Sequence, residues 1–235
     1  MDPSSVRDIL LERREAVERR LTAACERVGR PRSSVNLVAV TKTLDEQYLS
    51  LLPDIGLKEL GENRPQQLWS RAALLSQGVH WHLVGHLQRN KVERTLPLVE
   101  WIHSVDSLRL LQAIEEAASA SSRTVNVLLE VNTSGEAQKH GFSPDELPTL
   151  IPALGRLNHI KIGGLMTMAA VAEDPEESRP CFALLRRLGD QLREVGGERH
   201  SIRELSMGMT NDFEVAIEEG ATMVRIGSAL FADLV

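Results

Sequence analysis

Short apolar segments alternate with amphipathic helical ones along nearly the whole chain, and no other feature of the sequence narrows the fold so far. Eight segments read as strands: Val35–Thr41, Glu59–Glu62, Trp81–His86, Trp101–Val105, Val125–Asn132, Ile160–Met168, Glu204–Met209 and Met223–Ile226. Helical stretches such as Ser107–Ala120, Pro144–Leu154, Glu176–Val195 and Asp212–Glu219 lie between them, Gly220 stopping the last of these. A final helix begins near Ser228. One extra helix precedes the set. Its Val6, Ile9, Leu10, Val17, Leu21, Ala24 and Val28 recur at three- and four-residue spacing, Asp2 and Pro3 open it, and Gly29 with Pro31 closes it. Such alternation calls for a parallel sheet covered by helices. Eight units behind an extra helix predict an α/β fold, a closed (β/α)8 TIM barrel, with residues 1–235 forming one domain. The competing arrangement is a doubly wound open sheet. No GxGxxG follows the first strand, which disfavours a dinucleotide site.

The length of 235 residues suits one such barrel. The net charge of −6 offers nothing to nucleic acid or to an anionic membrane, so neither is expected as a partner. Cys25 and Cys181 stand far apart in no metal or redox spacing, which fits a reduced, cytoplasmic protein. No signal peptide is visible, and no apolar stretch approaches the roughly 18 residues of a membrane span.

Barrels of this kind place their chemistry at the C-terminal ends of the strands. Of the five lysines, Lys58 and Lys161 precede or open strands, Lys91 sits on a helix and Lys139 in a loop. Only Lys42 falls at a C-terminal strand end, on the same face as Val38 and Val40. A lysine entering a barrel mouth over apolar neighbours loses hydration, which frees its amine for imine formation. The bland alternative pairs it with Glu62 or Asp106.

The ends of strands 7 and 8 are where barrels often bind phosphate. Ser206-Met207-Gly208-Met209-Thr210 supplies two hydroxyls and a glycine, and Gly227-Ser228 opens the last helix with another pair. Glycines let backbone N–H groups approach phosphate oxygens, although they also serve as tight turns. A lysine on strand 1 facing a phosphate cup on strands 7 and 8 describes a pyridoxal 5′-phosphate site better than either piece alone. Arg225, just before the cup, is placed to reach the pyridine nitrogen; otherwise it pairs with a core carboxylate. His80, His82 and His86 share a strand face and suggest a metal set. The pair lies well before the strand end, and strand 8 offers arginine where a metal carboxylate is wanted, so no metal is expected.

The motifs VAVTK (Val38–Lys42), GEN (Gly61–Asn63), WHLVGHLQRNK (Trp81–Lys91), IHSVDS (Ile102–Ser107), VNTSGE with KHGF (Val131–Glu136, Lys139–Phe142), GLMTM (Gly164–Met168) and LSMGMTNDFEVAIEEGATMVRIG (Leu205–Gly227) occur in one order. In them the chain resembles the YggS/PROSC family of pyridoxal phosphate homeostasis proteins, from about Val35 to the C-terminus. Pro65-Gln66-Gln67 departs from the family pattern and bears only on local loop geometry. The resemblance implies a barrel like the N-terminal domain of alanine racemase, with Lys42 as the Schiff-base lysine. It implies phosphate and ring contacts from Ser206, Met207, Gly208, Ile226 and Gly227, with Met209 and Thr210 in the same cup. Asn63 and Met166 are to line the pocket, and Arg225 is to face the pyridine nitrogen. The function it implies is intracellular buffering or delivery of the cofactor, with apo enzymes that use pyridoxal phosphate as partners and no robust catalysis. Separately, a monomer is expected. A pyridoxal-phosphate-dependent amino-acid racemase is the alternative. Racemisation needs an acid or base on each face of the α-carbon. The single tyrosine, Tyr48, follows closely after Lys42 and provides no evident group on the opposite face.

Overall fold

The computed structural model describes residues 2–136, 140–155, 157–195 and 201–234. Helix α1 (Pro3–Arg27) comes first. Eight strands follow: β1 (Asn36–Val40), β2 (Glu59–Glu62), β3 (His80–Leu83), β4 (Trp101–Val105), β5 (Val125–Glu130), β6 (Ile160–Met166), β7 (Glu204–Ser206) and β8 (Met223–Ile226). Every neighbouring pair is parallel, and β1 pairs with β8, so the sheet closes in sequence order. This is the (β/α)8 barrel. The connecting helices are α2 (Leu51–Asp54), α3 (Pro65–Leu74), α4 (Val92–Thr95), α5 (Leu108–Ala120), α6 (Leu147–Leu154), α7 (Arg179–Val195) and α8 (Phe213–Glu218), and α9 (Ser228–Phe231) follows β8. Among the described residues no helix is long and apolar enough to cross a membrane.

Strand alternation sorts side chains into two cores. Ala39, Leu60, Leu83, Ile102, Val127, Leu165, Met207, Val224 and Ile226 point outward and pack under the helices. Val38, Val40, Val84, Leu128, Met166 and Met223 form a smaller apolar cluster inside the barrel. Helix α1 buries the expected Val6, Leu10, Val17, Leu21 and Ala24. It is bound to the last units by Arg20–Glu214 at 2.6 Å and Arg27–Glu218 at 2.7 Å. Val28, expected on the same face, lies beyond the helix end and is exposed.

Five strands stop short of their expected ends. β1 ends at Val40, β3 at Leu83, β5 at Glu130, β6 at Met166 and β7 at Ser206. In each case the first residue past the strand still donates one bond to a neighbouring strand, as Thr41 N–H does to Gly61 O, and the chain then leaves the ladder to become the loop at the barrel mouth. At β7 the departure has a local cause: Gly208 takes φ +91, a left-handed conformation that ends the extended run. Lys42 consequently stands two residues past β1. Lys139 lies outside the described residues.

Candidate functional site

The mouth of the barrel encloses a cavity of about 810 Å³. Of the eleven residues expected at the site, Lys42, Asn63, Met209, Thr210, Arg225 and Gly227 line it. The other five are placed behind it. Met166 is fully buried in the inner apolar cluster. Met207 and Ile226 point into the outer core, so only their main chain can face the mouth. Ser206 is fully buried inside the barrel, its Oγ engaged by Arg225 Nη1 at 2.6 Å and by His103 Nδ1 at 2.8 Å. Gly208 is fixed by packing: a Cβ there would lie 2.5 Å from Ala216 Cβ and 2.9 Å from Phe213 Cα. Its glycine answers to helix α8 and to its positive φ rather than to close approach by a ligand.

Lys42 is exposed at the cavity rim, not buried on β1 as its strand placement suggested. Because β1 ends at Val40, Thr41 turns the chain and Leu44 N–H closes onto Thr41 O at 2.8 Å. The carboxylates weighed as partners for Lys42 are occupied elsewhere. Glu62 accepts from Arg71 Nη1 at 2.6 Å and from the Thr41 hydroxyl. Asp106 Oδ2 lies 3.0 Å from His86 Nδ1. Arg71, a buried residue of α3, also donates to the Thr41 carbonyl and, at 2.6 Å, to the Leu44 carbonyl. It thus grips the main chain on both sides of Lys42-Thr43. No helical periodicity singles this arginine out, because an arginine at one position of an amphipathic helix reads as solvated.

Arg225 reaches the cavity from β8, opposite Val38 of β1. Its Nη2 donates to Thr167 O at 2.8 Å and its Nη1 to Ser206. Burial pushes its pKa down to about 10, with Asp212 and Glu130 opposing the fall, so the side chain stays cationic at neutral pH. No carboxylate touches it directly among the described residues. Glu130, also buried at this end, is pushed up by desolvation and by Asp106. Asp212 fixes the β7 loop: it accepts from Met209 N–H at 2.6 Å and from Ser178 Oγ at 3.2 Å. Thr210 Oγ1 accepts weakly from Ala229 N–H at 3.4 Å, leaving its own proton to donate. Gly227 has φ −117, and a Cβ there would meet only the Val40 carbonyl, at 3.2 Å, and Val40 Cβ. Ser228, at the start of α9, and Asn211 also line the cavity.

His80, His82 and His86 do not come together. His80 and His82 both approach Glu59, at 2.6 and 2.8 Å, near the N-terminal ends of the strands. His86 stands at the mouth with Asp106 and His140, their donor atoms within 4.8 Å of one another and both imidazoles exposed. Tyr48 is buried in the outer core and is not among the cavity-lining residues.

Residues 14–234 match the family model of the alanine racemase N-terminal domain. A pyridoxal phosphate homeostasis protein of Aquifex aeolicus is 40% identical over 223 residues, covering 94% of this chain and 97% of its own length. The structure of PipY from Synechococcus elongatus PCC7942, solved with PLP bound, superposes with a TM-score of 0.82 at 31% identity, covering 95% of this chain and all of that one. An alanine racemase of Clostridium difficile shares the fold alone: TM-score 0.71, 18% identity, 97% of this chain but 58% of the racemase. The chain belongs to the alanine racemase N-terminal-domain family and, within it, to the pyridoxal phosphate homeostasis proteins.

Proposed function

We propose that residues 1–235 form a single domain that holds pyridoxal 5′-phosphate reversibly through Lys42 and buffers or delivers it to apo enzymes in the cytoplasm. The observation that carries this reading is convergence: an amine from the end of β1, a cation from β8 and a hydroxyl-lined loop pair after β7 and β8 meet at one cavity of about 810 Å³. That volume suits a ligand of this size. The donor set fits the group. Thr210, Ser228 and the Gly227 main chain offer hydrogen bonds to a phosphate, and Gly227 lacks the side chain that would cover its amide. Met207 and Ile226 contribute main chain only, and Ser206 acts by supporting Arg225.

The cofactor, when bound, supplies an aldehyde that condenses reversibly with a primary amine. Lys42 is the lysine lining the cavity among the described residues, and Arg71 holds the main chain on both sides of it. Arg225 donates toward a ring nitrogen without giving up its proton, so the ring gains no added positive charge and withdraws electrons weakly. Asn63, just past β2 and beside the β1 end, also lines the cavity. A monomer suffices for this arrangement, because every proposed contact comes from one chain. Reduction of the loaded protein with borohydride and peptide mapping tests the reading. The label is expected on the Lys42 peptide, and a label on Lys91 instead overturns it.

A further inference from the structure

A chain of four hydrogen bonds crosses the barrel interior from one mouth to the other. Glu59 Oε2 on β2 lies 2.8 Å from His82 Nε2 on β3. His82 Nδ1 lies 2.9 Å from His103 Nε2 on β4. His103 Nδ1 lies 2.8 Å from Ser206 Oγ on β7, and Ser206 Oγ accepts from Arg225 Nη1 on β8 at 2.6 Å. His82, His103, Ser206 and Arg225 are all buried; Glu59 is partly open to solvent and also meets the exposed His80 at 2.6 Å. We propose that Glu59 is a remote positioning residue, holding the Arg225 guanidinium at the cofactor cavity through His82, His103 and Ser206. The inference rests on the reading that Arg225 faces the bound cofactor.

Chemistry gives the chain one direction. A carboxylate can only accept, so His82 Nε2 carries a proton. Neutral His82 then presents a bare Nδ1, which accepts from His103 Nε2–H. The bare Nδ1 of His103 accepts from the Ser206 hydroxyl, whose oxygen takes the proton-bearing Nη1 of Arg225. Every donor has an acceptor, from cation to anion. Adding a second proton to His82 reverses the middle bonds. Ser206 Oγ would then accept from both His103 and Arg225, and its own proton would face no other acceptor among the described residues, a costly state for a buried hydroxyl. Burial first, and then the nearby His82 and Arg225, hold His103 neutral, which agrees with this direction.

An arginine in a barrel interior that also holds the apolar cluster of Val38, Val40, Leu128, Met166 and Met223 needs such an arrangement. Among the described residues, its Nη2 is fixed by one carbonyl and its Nη1 through the serine alone. Loss of polarity at Glu59 frees the imidazoles to exchange donor and acceptor roles, and Ser206 is then free to turn its proton toward Arg225. The guanidinium would shift as a consequence.

The test compares wild type, Glu59→Gln, His103→Leu and Arg225→Gln. In the cofactor-free protein, nitrogen-15 spectra of the arginine side chains report Arg225 directly. In the loaded protein, the visible absorption band reports the ring's surroundings, and dialysis reports release. Glu59→Gln is expected to move the Arg225 side-chain resonances and speed their exchange. It is also expected to shift the visible band in the direction seen for Arg225→Gln, and to raise the release rate on the order of threefold. A core replacement with no connection to Arg225 would change stability without these signatures. Arg225 resonances identical in wild type and Glu59→Gln overturn the relay. A band and release rate unchanged in Arg225→Gln overturn the cofactor contact itself, and the resonances separate that failure from the first. If His103→Leu does not fold, the partly exposed Glu59 position still decides the question.

Discussion

Arg71 on α3 donates to the Leu44 carbonyl at 2.6 Å while its other terminal nitrogen binds both the Thr41 carbonyl and Glu62, so one buried guanidinium brackets the Lys42 loop. Its charge is matched by Glu62, which is fully buried. Removing one member of such a pair leaves the other charge without a partner, at a cost of about 3–5 kcal/mol. Arg71→Ala is therefore expected to lower the urea midpoint markedly and, where the protein remains folded, to reduce borohydride trapping at Lys42. The double replacement Arg71→Met with Glu62→Gln is expected to recover much of the stability but not the trapping. Trapping that survives at the wild-type level in the folded double variant would remove Arg71 from the positioning of Lys42.

The two glycines of the cup separate on substitution. Gly208 has φ +91 and no room for a Cβ against Ala216 and Phe213, so Gly208→Ala combines backbone strain of about 1–3 kcal/mol with displacement of α8. It is expected to lower thermal stability more than it lowers phosphate affinity. Gly227→Ala meets the Val40 carbonyl at 3.2 Å and Val40 Cβ at 3.6 Å and keeps a negative φ. It is expected to fold while weakening inorganic phosphate and cofactor binding severalfold. Circular dichroism melts and equilibrium dialysis on both variants check the contrast, and equal loss of stability in the two would refute it.

The closed barrel and its strand order were legible because alternating inner and outer positions write themselves into the sequence: Val38 and Val40 inside, Ala39 outside. The strand ends were less legible. Met207 continues the strand rhythm and still donates to Met223 O, and the left-handed φ of Gly208 then ends the extended run short of its expected end at Met209. At the site, the short-range features were readable: a lysine after β1, glycine and hydroxyl pairs after β7 and β8. Contacts between distant strands were not. His103 reads as a polar residue within a strand, and its link to Ser206 spans 103 positions. Arg71 reads as a solvated helix residue until Glu62 is seen beneath it.

Burial holds His103 well below the usual imidazole value, which makes stability depend on pH. The unfolded chain takes up a proton on this histidine as pH falls through about 6.5, whereas the native barrel does not. Its contribution is thus complete above about pH 6.5 and is lost as pH falls, by at most about 1.4 kcal/mol per unit. Glu130 works in the opposite sense. Its raised value makes its contribution complete below the ordinary carboxylate range and progressively lost as pH rises through the native value. The two partly cancel in wild type. Urea midpoints at about pH 7 and pH 5.5 are expected to fall less, or to rise, in His103→Gln relative to wild type. The same pH dependence in both proteins would mean that His103 is charged in the native state.

Lys42→Ala distinguishes covalent capture from the rest of the cup. The hydroxyls of Thr210 and Ser228 and the Gly227 main chain remain in place, and charge-assisted bonds of about 1.5–3 kcal/mol each would hold a phosphate without an imine. The variant is expected to lose the yellow colour yet retain measurable cofactor in dialysis. The wild type is expected to restore activity to a cofactor-free transaminase while racemising alanine or serine at background rates. Two features lead to that expectation. In the proposed contact Arg225 would leave the ring a weak electron sink, and Tyr48 is buried in the outer core and is not among the cavity-lining residues. Efficient racemisation by the wild type, abolished in Lys42→Ala, would establish an enzyme in place of a carrier. Restoration of the transaminase by wild type but not by Lys42→Ala would identify the lysine as the handle from which the cofactor is passed on.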